Sequence, residues 1–250
     1  MSNAQRKPLI LITNDDGIQA KGIQALARAM APHGRVVVVA PDRAQSGMGH
    51  AVTINGILKM EQVTFGVPEV EAAWQTTGTP VDCVKLAIYE ILGQKPDLLL
   101  SGINHGSNAS INVIYSGTMS AAVEGAVEGI PSIGFSLLNH APDADFAACA
   151  SYVEQLSLEV LNRSLPLGTC LNVNFPDLPT EELKGLKICR QSAGYWEDAF
   201  DKRTSPGGTP YYWMTGKFTN PDQGQDTDEW ALRNGYVSVV PTQFDLTAHH

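Results

Sequence analysis

Two adjacent carboxylates, Asp15 and Asp16, follow a short run of large apolar residues near the start of the chain. Like charges held side by side repel each other, and a divalent cation relieves that cost because hard cations prefer oxygen ligands. The run Leu9–Thr13 is typical of a strand buried on both faces, and Gly17 allows the backbone to turn. The pair is therefore predicted to lie at the carboxyl end of a buried strand, where α/β sheets bind ligands. A solvated turn that caps a helix is the alternative.

A second group of polar residues follows the apolar run 35–40, which is predicted to be another buried strand. The loop 41–50 carries a guanidinium on Arg43, a hydroxyl on Ser46 and the first of two glycines at Gly47. The loop thus puts an oxygen donor at the carboxyl end of a strand. Since a neutral hydroxyl is an uncommon ligand for a cation, an ordinary strand-to-helix connection is the alternative interpretation.

An amide and an imidazole follow a third predicted strand, residues 97–101. Asn104 offers a carbonyl oxygen that suits a hard cation, although Asn here is equally typical of a turn in the left-handed conformation. His105 is compatible with a metal ligand, a general acid or a contact with substrate. We favour the substrate rim for His105, together with Arg43, because oxygen ligands dominate the rest of the set.

A run of small polar residues, Ser116, Gly117 and Thr118, opens a predicted helix. Hydroxyls and free backbone N–H groups at a helix N-terminus, together with the helix dipole, form a phosphate site without a cationic side chain. Plain N-capping explains Ser116 equally well, but it does not explain the Gly-Thr pair that follows.

These groups are predicted to converge, because three strand ends and one helix start share one edge of one sheet. The combination predicts metal-assisted hydrolysis of a phosphate ester, in which a cation polarises a phosphoryl oxygen and lowers the pKa of a water. Asp15 and Asp16 are the predicted catalytic residues. The carboxylate that is not fully used as a ligand is expected to accept the proton of the water or to orient it.

The elements that must position these residues alternate between strand and helix over the first part of the chain. Short apolar runs predict buried strands, whereas one-sided apolar patterns and capping residues predict helices. The predicted strands are 9–13, 35–40, 97–101, 132–136 and 170–175, and the predicted helices are 22–30, 80–92, 116–129 and 145–162. This alternation predicts an α/β fold with parallel strands and helices on both faces.

The character of the sequence changes after about residue 190. Residues 194–226 are rich in aromatic residues, Gly and Pro and show little helical periodicity. They are predicted to form strands and long loops that project from the core and contact another subunit. Residues 52–67 alternate in a way that predicts a hairpin. The expected domains are a core of residues 1–190 and a β-rich oligomerisation segment, 191–250, whose tail returns to the core.

The composition narrows the function classes. A chain of 250 residues with 43% hydrophobic content can bury a sizeable core, and its net charge of −9 argues against nucleic-acid polymers and anionic membranes as partners. No run approaches the length of a membrane helix, and the polar first residues do not resemble a signal region. The four cysteines lack metal-ligand or redox spacing, so free thiols in a reducing cytoplasm are expected.

Several motifs together resemble the SurE family, the stationary-phase survival nucleotidases. They occur in order over nearly the whole chain: Thr13-Asn14-Asp15-Asp16-Gly17, Ala40-Pro41-Asp42-Arg43 with Ser46-Gly47, Gly78-Thr79-Pro80, Ser101-Gly102-Ile103-Asn104, Tyr115-Ser116-Gly117-Thr118, and Gly235-Tyr236-Val237 followed by Asp245-Leu246-Thr247-Ala248-His249. The resemblance implies a Rossmann-like α/β core with a projecting β-rich segment, assembled as a homodimer or homotetramer. It implies a phosphatase for 5′- and 3′-nucleoside monophosphates, and in some members for short polyphosphate.

The resemblance also implies roles for individual residues. One Mg²⁺ or Mn²⁺ per subunit is expected on Asp15, Asp16, Ser46 and Asn104. Phosphate contacts are expected from the group Asn14, Gly47, Ser116, Gly117 and Thr118. The sequence departs from the family pattern at His105 and at Asn112, where relatives commonly have Tyr and an acidic residue. The second departure puts an acidic role for that loop in doubt.

Two other functions remain as alternatives. A haloacid-dehalogenase-like phosphatase needs an Asp-x-Asp pattern after its first strand, whereas Asp15 and Asp16 are adjacent. A non-catalytic nucleotide-binding stress protein would keep the phosphate site, but it would not need a carboxylate pair. Release of phosphate from a nucleotide with Mg²⁺ or Mn²⁺, measured with and without EDTA, distinguishes the non-catalytic alternative from a metal-dependent phosphatase.

Overall fold

The computed structural model describes residues 6–248, so the terminal histidines His249 and His250 lie outside the described residues. The described strands are β1 (Leu9–Thr13), β2 (Arg35–Pro41), β3 (Met60–Gln62), β4 (Ala72–Thr76), β5 (Leu98–His105), β6 (Ser132–Leu137), β7 (Thr169–Phe175), β8 (Leu186–Ile188), β9 (Tyr195–Thr204), β10 (Pro210–Thr219) and β11 (Val237–Gln243). The described α-helices are α1 (Lys21–Met30), α2 (Pro80–Leu86), α3 (Gly117–Val127), α4 (Ala150–Arg163) and α5 (Asp228–Arg233).

Nine strands form one sheet in the order β3-β4-β2-β1-β5-β6-β7-β11-β8. The strands from β4 to β7 in that order run parallel, whereas β3 and β11 run antiparallel to β4 and β7. Strand β1 lies between β2 and β5, and its last residue, Thr13, pairs with Ser101 of β5. The carboxyl ends of β1, β2 and β5 therefore meet at one edge of the sheet, and the predicted fold class is confirmed.

Helices cover both faces of this sheet. Alternate residues of β1 point to opposite sides, so Ile10 and Ile12 pack in the cluster that includes α1 and α4, while Leu9 and Leu11 pack with α2 and α3. All five residues of β1 are buried. The carboxylate pair thus follows a strand that is fixed from both sides, which limits how far Asp15 and Asp16 can move.

The predicted strands and helices of the core are all present, with differences at their ends. Thr79 caps α2 and forms a capping box with Asp82, and Pro80 occupies the first turn of the helix. A π-helical turn, Ala87–Leu92, continues α2. Helix α4 begins at Ala150, after a 3-10 turn, and not at Asp145.

One core strand is longer than predicted. Strand β5 continues to His105, so Asn104 and His105 belong to the end of the strand and not to a following loop. The extension includes a register shift against β6 between Ser101 and Asn104. Hydrogen bonds to β6 resume after that shift, and this pairing keeps the segment extended.

The hairpin predicted within residues 52–67 is wrong. A single short strand, β3, forms there, and its antiparallel partner is β4, outside the segment. Ile54 and Ile57, which contributed to the alternating pattern, are 84% and 85% exposed. Their alternation therefore does not reflect one buried face.

Strands β9 and β10 pair along their whole length as a separate two-stranded hairpin. Nearly every residue of this hairpin is exposed, including several large aromatic side chains. After the hairpin the chain returns to the main sheet, where β11 lies between β7 and β8. The division of the chain at residue 190 stays a prediction. Among residues 6–248, no helix is both long and apolar enough to span a bilayer.

Candidate active site

The turn after β1 is held by the side chain of Asn14. Its Oδ1 accepts from the Gly17 N–H at 3.2 Å, and its Nδ2 donates to the Gly17 carbonyl at 2.9 Å. Gly17 has φ +99°, and a Cβ there would lie 3.2 Å from the carbonyl carbon of Arg43. Asn14 is buried, so what it contributes in this structure is the shape of the turn; its contact with phosphate stays a prediction.

Asp15 is buried against the first turn of α3. The Thr118 hydroxyl donates a hydrogen bond to its Oδ1, and a Cβ on Gly117 would lie 2.7 Å from the Asp15 Cβ. Burial, and next the charge of Asp16, raise the pKa of Asp15 to about 6, while the contacts with Thr118 oppose that rise. The closeness of Gly117 leaves no room for a side chain between α3 and the carboxylate.

Asp16 is the more accessible of the two carboxyls. Its Oδ2 accepts from the His105 N–H at 3.1 Å, which links the turn after β1 to the end of β5. Burial raises the pKa of Asp16, and the nearby His105 and His140 partly offset this rise. Among the described residues, neither Asp15 nor Asp16 has a Lys or Arg as its charge partner.

The end of β5 brings an amide and an imidazole to the same edge. Nδ2 of Asn104 donates to the Gly106 carbonyl at 2.8 Å, and within residues 6–248 no donor reaches its Oδ1. Nδ1 of His105 lies 3.1 Å from the Ala141 carbonyl, which can only accept, so Nδ1 is the donor and Nε2 is left for another partner. The ring of Phe146 meets the His105 ring edge-on, with centroids 5.0 Å apart.

Ser46 lies in an exposed loop, residues 42–50, which we call the Ser46 loop. Backbone hydrogen bonds fasten this loop near both ends: Gln45 N donates to the Asp15 carbonyl at 2.7 Å, and Gly49 N donates to the Tyr115 carbonyl at 3.2 Å. The loop therefore bridges the carboxylate turn and the start of α3. Among the described residues, no hydrogen bond joins the Ser46 hydroxyl to Asp15, Asp16 or Asn104.

Arg43 forms no ion pair with Asp15 or Asp16. Its side chain is 78% exposed, and its guanidinium lies 4.0 Å from the carboxylate of Asp42. Gly47, in the same loop, has φ +74° with open space around it. The role of Arg43 at the substrate rim and the contact of Gly47 with phosphate stay predictions.

The start of α3 is capped by Ser116. Its Oγ accepts from Met119 N at 3.0 Å, and its carbonyl accepts from Ser120 Oγ at 2.7 Å. The N–H groups of Gly117 and Thr118 belong to the first turn, where a helix has no internal acceptors for them. The Thr118 hydroxyl, predicted to bind phosphate, is instead donated to Asp15, which makes Thr118 a support for the carboxylate pair as well.

Sequence reasoning missed one residue at this site. His140 follows β6, and its ring lies over Gly106, where a Cβ would come within 2.1 Å of the His140 Cε1. It therefore stands beside the Asn104–Gly106 segment and near Asp16. No local motif marks His140, because its proximity comes from the neighbouring positions of β5 and β6 in the sheet.

Among the described residues, no group of three or more His, Cys, Asp or Glu is arranged to hold a metal ion.

The chain is similar over nearly its whole length to proteins of one known family. A family model described as "Survival protein SurE" matches residues 10–198. Proteins named 5′-nucleotidase SurE from Flavobacterium psychrophilum and Christiangramia forsetii are 61% and 59% identical to this chain, in each case over 98% of it and 95% of the relative. The crystal structure of the SurE protein from Aquifex aeolicus is 43% identical, with a TM-score of 0.83 over 97% of this chain and 96% of that one. The chain therefore belongs to the survival protein SurE family.

Proposed function

We propose that this chain is a phosphatase that hydrolyses nucleoside monophosphates to nucleoside and phosphate and depends on one divalent cation per subunit. The observation that carries the proposal is the pair Asp15 and Asp16, held together at the sheet edge with no Lys or Arg partner among the described residues. The name 5′-nucleotidase, which the similar proteins bear, supports the same activity.

The residues at the sheet edge suit a hard divalent cation. Asp15, Asp16, Ser46 and Asn104 would hold Mg²⁺ or Mn²⁺ through oxygen atoms. Burial raises the pKa of both carboxyls, and a nearby cation would offset that cost. The Oδ1 of Asn104 lacks a donor within the described residues, so it is available as a ligand. When bound, the cation supplies Lewis acidity toward a phosphoryl oxygen and a lower pKa for a bound water.

In the proposed reaction, residues of the chain bind the phosphate and transfer a proton. We assign the phosphate to the start of α3, where Ser116, Gly117 and Thr118 offer N–H groups and the helix dipole favours an anion. Asn14 and Gly47 complete the proposed contacts. A water oxygen then bonds to phosphorus as the water gives up a proton, the ester P–O bond breaks, and the ester oxygen takes a proton from solvent as the nucleoside leaves. Asp16, the less buried carboxyl, would accept the proton of the water or orient it.

The proposed substrates share a terminal phosphoryl group, which is bound through an ester oxygen in nucleotides and through an anhydride oxygen in polyphosphate. They are 5′- and 3′-nucleoside monophosphates, with short polyphosphate as a further substrate. Arg43 and His105 are the proposed contacts at the rim. Nε2 of His105 faces no partner among the described residues, which leaves it available to the leaving nucleoside.

We also propose that the protein works as a homodimer or homotetramer in the cytoplasm. The exposed aromatic side chains of the β9–β10 hairpin support assembly, because Tyr and Trp are favoured at subunit interfaces. All four cysteines are free and buried, which suits a reducing compartment. The net charge of −9 argues against nucleic-acid polymers as partners.

The test is phosphate release from 5′-AMP and 3′-AMP with Mg²⁺ or Mn²⁺, with and without EDTA. Activity should need the metal, and Asp15→Asn should abolish both turnover and Mn²⁺ binding. Full activity after removal of the metal would overturn the metal requirement. Nucleotide binding without turnover under every metal condition would instead favour a non-catalytic binding protein.

A further inference from the structure

Helix α3 carries a buried carboxylate two turns beyond the candidate phosphate site. The side chain of Glu124 is 4% exposed, and two basic side chains from other parts of the chain meet it. His50 Nε2 lies 2.8 Å from its Oε2, and Lys85 Nζ contacts its Oε1. A carboxylate accepts hydrogen bonds only, so His50 donates through Nε2.

This arrangement compensates a charge that would otherwise be costly to bury. Burial by itself would raise the pKa of Glu124, but the hydrogen bonds from His50 and Lys85 outweigh it and leave the pKa below its ordinary value. Glu124 is therefore an anionic anchor on α3, with one partner on α2 and the other at the end of the Ser46 loop.

His50 is the last residue of the Ser46 loop, so its contact with Glu124 affects the position of that loop. Ser46 and Gly47, at the tip of the Ser46 loop, are exposed, and open space surrounds Gly47. The backbone bonds at Gln45 and Gly49 set the path of the loop. Among the described residues, the contact between His50 and Glu124 is the charge-assisted bond that ties this loop to α3.

We propose that His50 is a positioning residue, which holds the Ser46 loop against α3 through Glu124 and so limits how far Ser46 can move from the carboxylate turn. This inference rests on the proposed function, because it takes Ser46 as a metal ligand. His50 itself contacts neither metal nor substrate in this role. Its loss should therefore weaken the binding of metal more than it slows turnover once metal is saturating.

The experiment is a titration of the metal-free, full-length protein with Mn²⁺, followed by electron paramagnetic resonance of the free ion. We expect His50→Ala to weaken Mn²⁺ binding about tenfold, the loss of one hydrogen bond to a charged group. His50→Gln keeps a donor for Glu124 and should stay within about threefold of wild type on the same scale. In assays, the metal concentration for half-maximal rate should rise in His50→Ala, while kcat at saturating metal changes much less.

Lys85→Met is the matched control, because it removes the other partner of Glu124 and leaves the loop contact in place. It should lower the melting temperature but leave Mn²⁺ binding close to wild type. Hydrogen exchange at the amides of Gln45 and Gly49 should become faster in His50→Ala and not in Lys85→Met. This second readout depends on neither metal nor activity.

Three outcomes would overturn the inference. Wild-type Mn²⁺ affinity in His50→Ala excludes a positioning role for His50. An equal loss of affinity in His50→Ala and Lys85→Met assigns the effect to α3 as a whole and not to the loop. Failure of the wild type to bind Mn²⁺, or wild-type binding by Asp15→Asn, removes the metal site and with it the proposed function. Asp15→Asn thus separates a failure of the proposed function from a failure of His50 alone.

Discussion

The hydroxyl of Thr118 donates a hydrogen bond to Oδ1 of Asp15, which joins the first turn of α3 to the turn after β1. The two residues are 103 positions apart in the chain. The same helix start offers backbone N–H groups to a phosphate, so one element both supports the carboxylate and presents the proposed phosphate site. Displacement of α3 should therefore affect the position of Asp15 and the binding of phosphate together.

Replacement of Thr118 by Val should test the support of Asp15 by the hydroxyl. The substitution keeps the shape of the side chain and removes the donor to a buried carboxylate. Loss of this hydrogen bond should weaken the stabilisation of Asp15 by about 1.5–3 kcal/mol. We expect kcat/KM for 5′-AMP to fall by about 10- to 100-fold. Thr118→Ser keeps the hydroxyl and should retain most of the activity. An unchanged kcat/KM in Thr118→Val would count against the support of Asp15 by Thr118.

The raised pKa of Asp15 predicts how the stability of the metal-free protein depends on pH. The pKa is about 6 in the folded chain against an ordinary value of 3.8, so between these values the folded state binds more protons than the unfolded state. Stability therefore falls as the pH rises through this window. The contribution lost is about 3 kcal/mol.

Urea unfolding in EDTA at pH 4 and pH 7.5 measures this effect. Asp15→Asn lacks the titrating group, so its free energy of unfolding should fall less than that of the wild type over the same interval. Added Mn²⁺ should restore the stability of the wild type at pH 7.5 and leave that of the variant unchanged. Parallel pH profiles for the two proteins would show that Asp15 is not buried as described.

The sheet edge was predictable because the relevant signals are local. A run of apolar residues ending in a polar turn marks the end of a parallel strand, and parallel strand ends must meet. Asp15, Asp16 and Asn104 could thus be assigned to one edge. The same reasoning predicted the capping role of Ser116, since an N-cap is also a local feature.

Contacts between distant segments could not be predicted from local sequence signals. The bond from Thr118 to Asp15, the ring of His140 over Gly106 and the contact of His50 with Glu124 all depend on how neighbouring strands and helices pack. The failed hairpin in residues 52–67 has a related cause. Alternation predicts a strand only when one face becomes buried, and Ile54 and Ile57 stay exposed.

Replacement of Gly117 by Ala should damage the site by a steric route. A Cβ there would lie 2.7 Å from the Asp15 Cβ, which is closer than nonbonded carbon atoms approach, so α3 or the carboxylate must shift. We expect most of the phosphatase activity and Mn²⁺ binding to be lost. Gly207→Ala introduces its Cβ into open space and should leave both at wild-type levels. Wild-type activity in Gly117→Ala would show that the carboxylate pair is not packed on α3.

The β9–β10 hairpin provides a prediction about assembly. Phe200 and Met214 are cross-strand partners and are 64% and 68% exposed. So much apolar surface on a hairpin outside the main sheet is expected to be covered by another subunit. Wild-type protein at micromolar concentration should therefore sediment as a dimer or a larger homo-oligomer, with no monomer.

Charges introduced at this apolar pair should break the assembly. The double variant Phe200→Asp with Met214→Asp should sediment as a monomer, because burial of two carboxylates at an interface is costly. Thr204→Asp adds one charge at an exposed polar position of the same hairpin and should assemble as the wild type does. Removal of residues 199–219, with a short Gly-Ser bridge in their place, should give monomers or insoluble chain. A wild-type protein that sediments as a fully active monomer would refute this role for the hairpin.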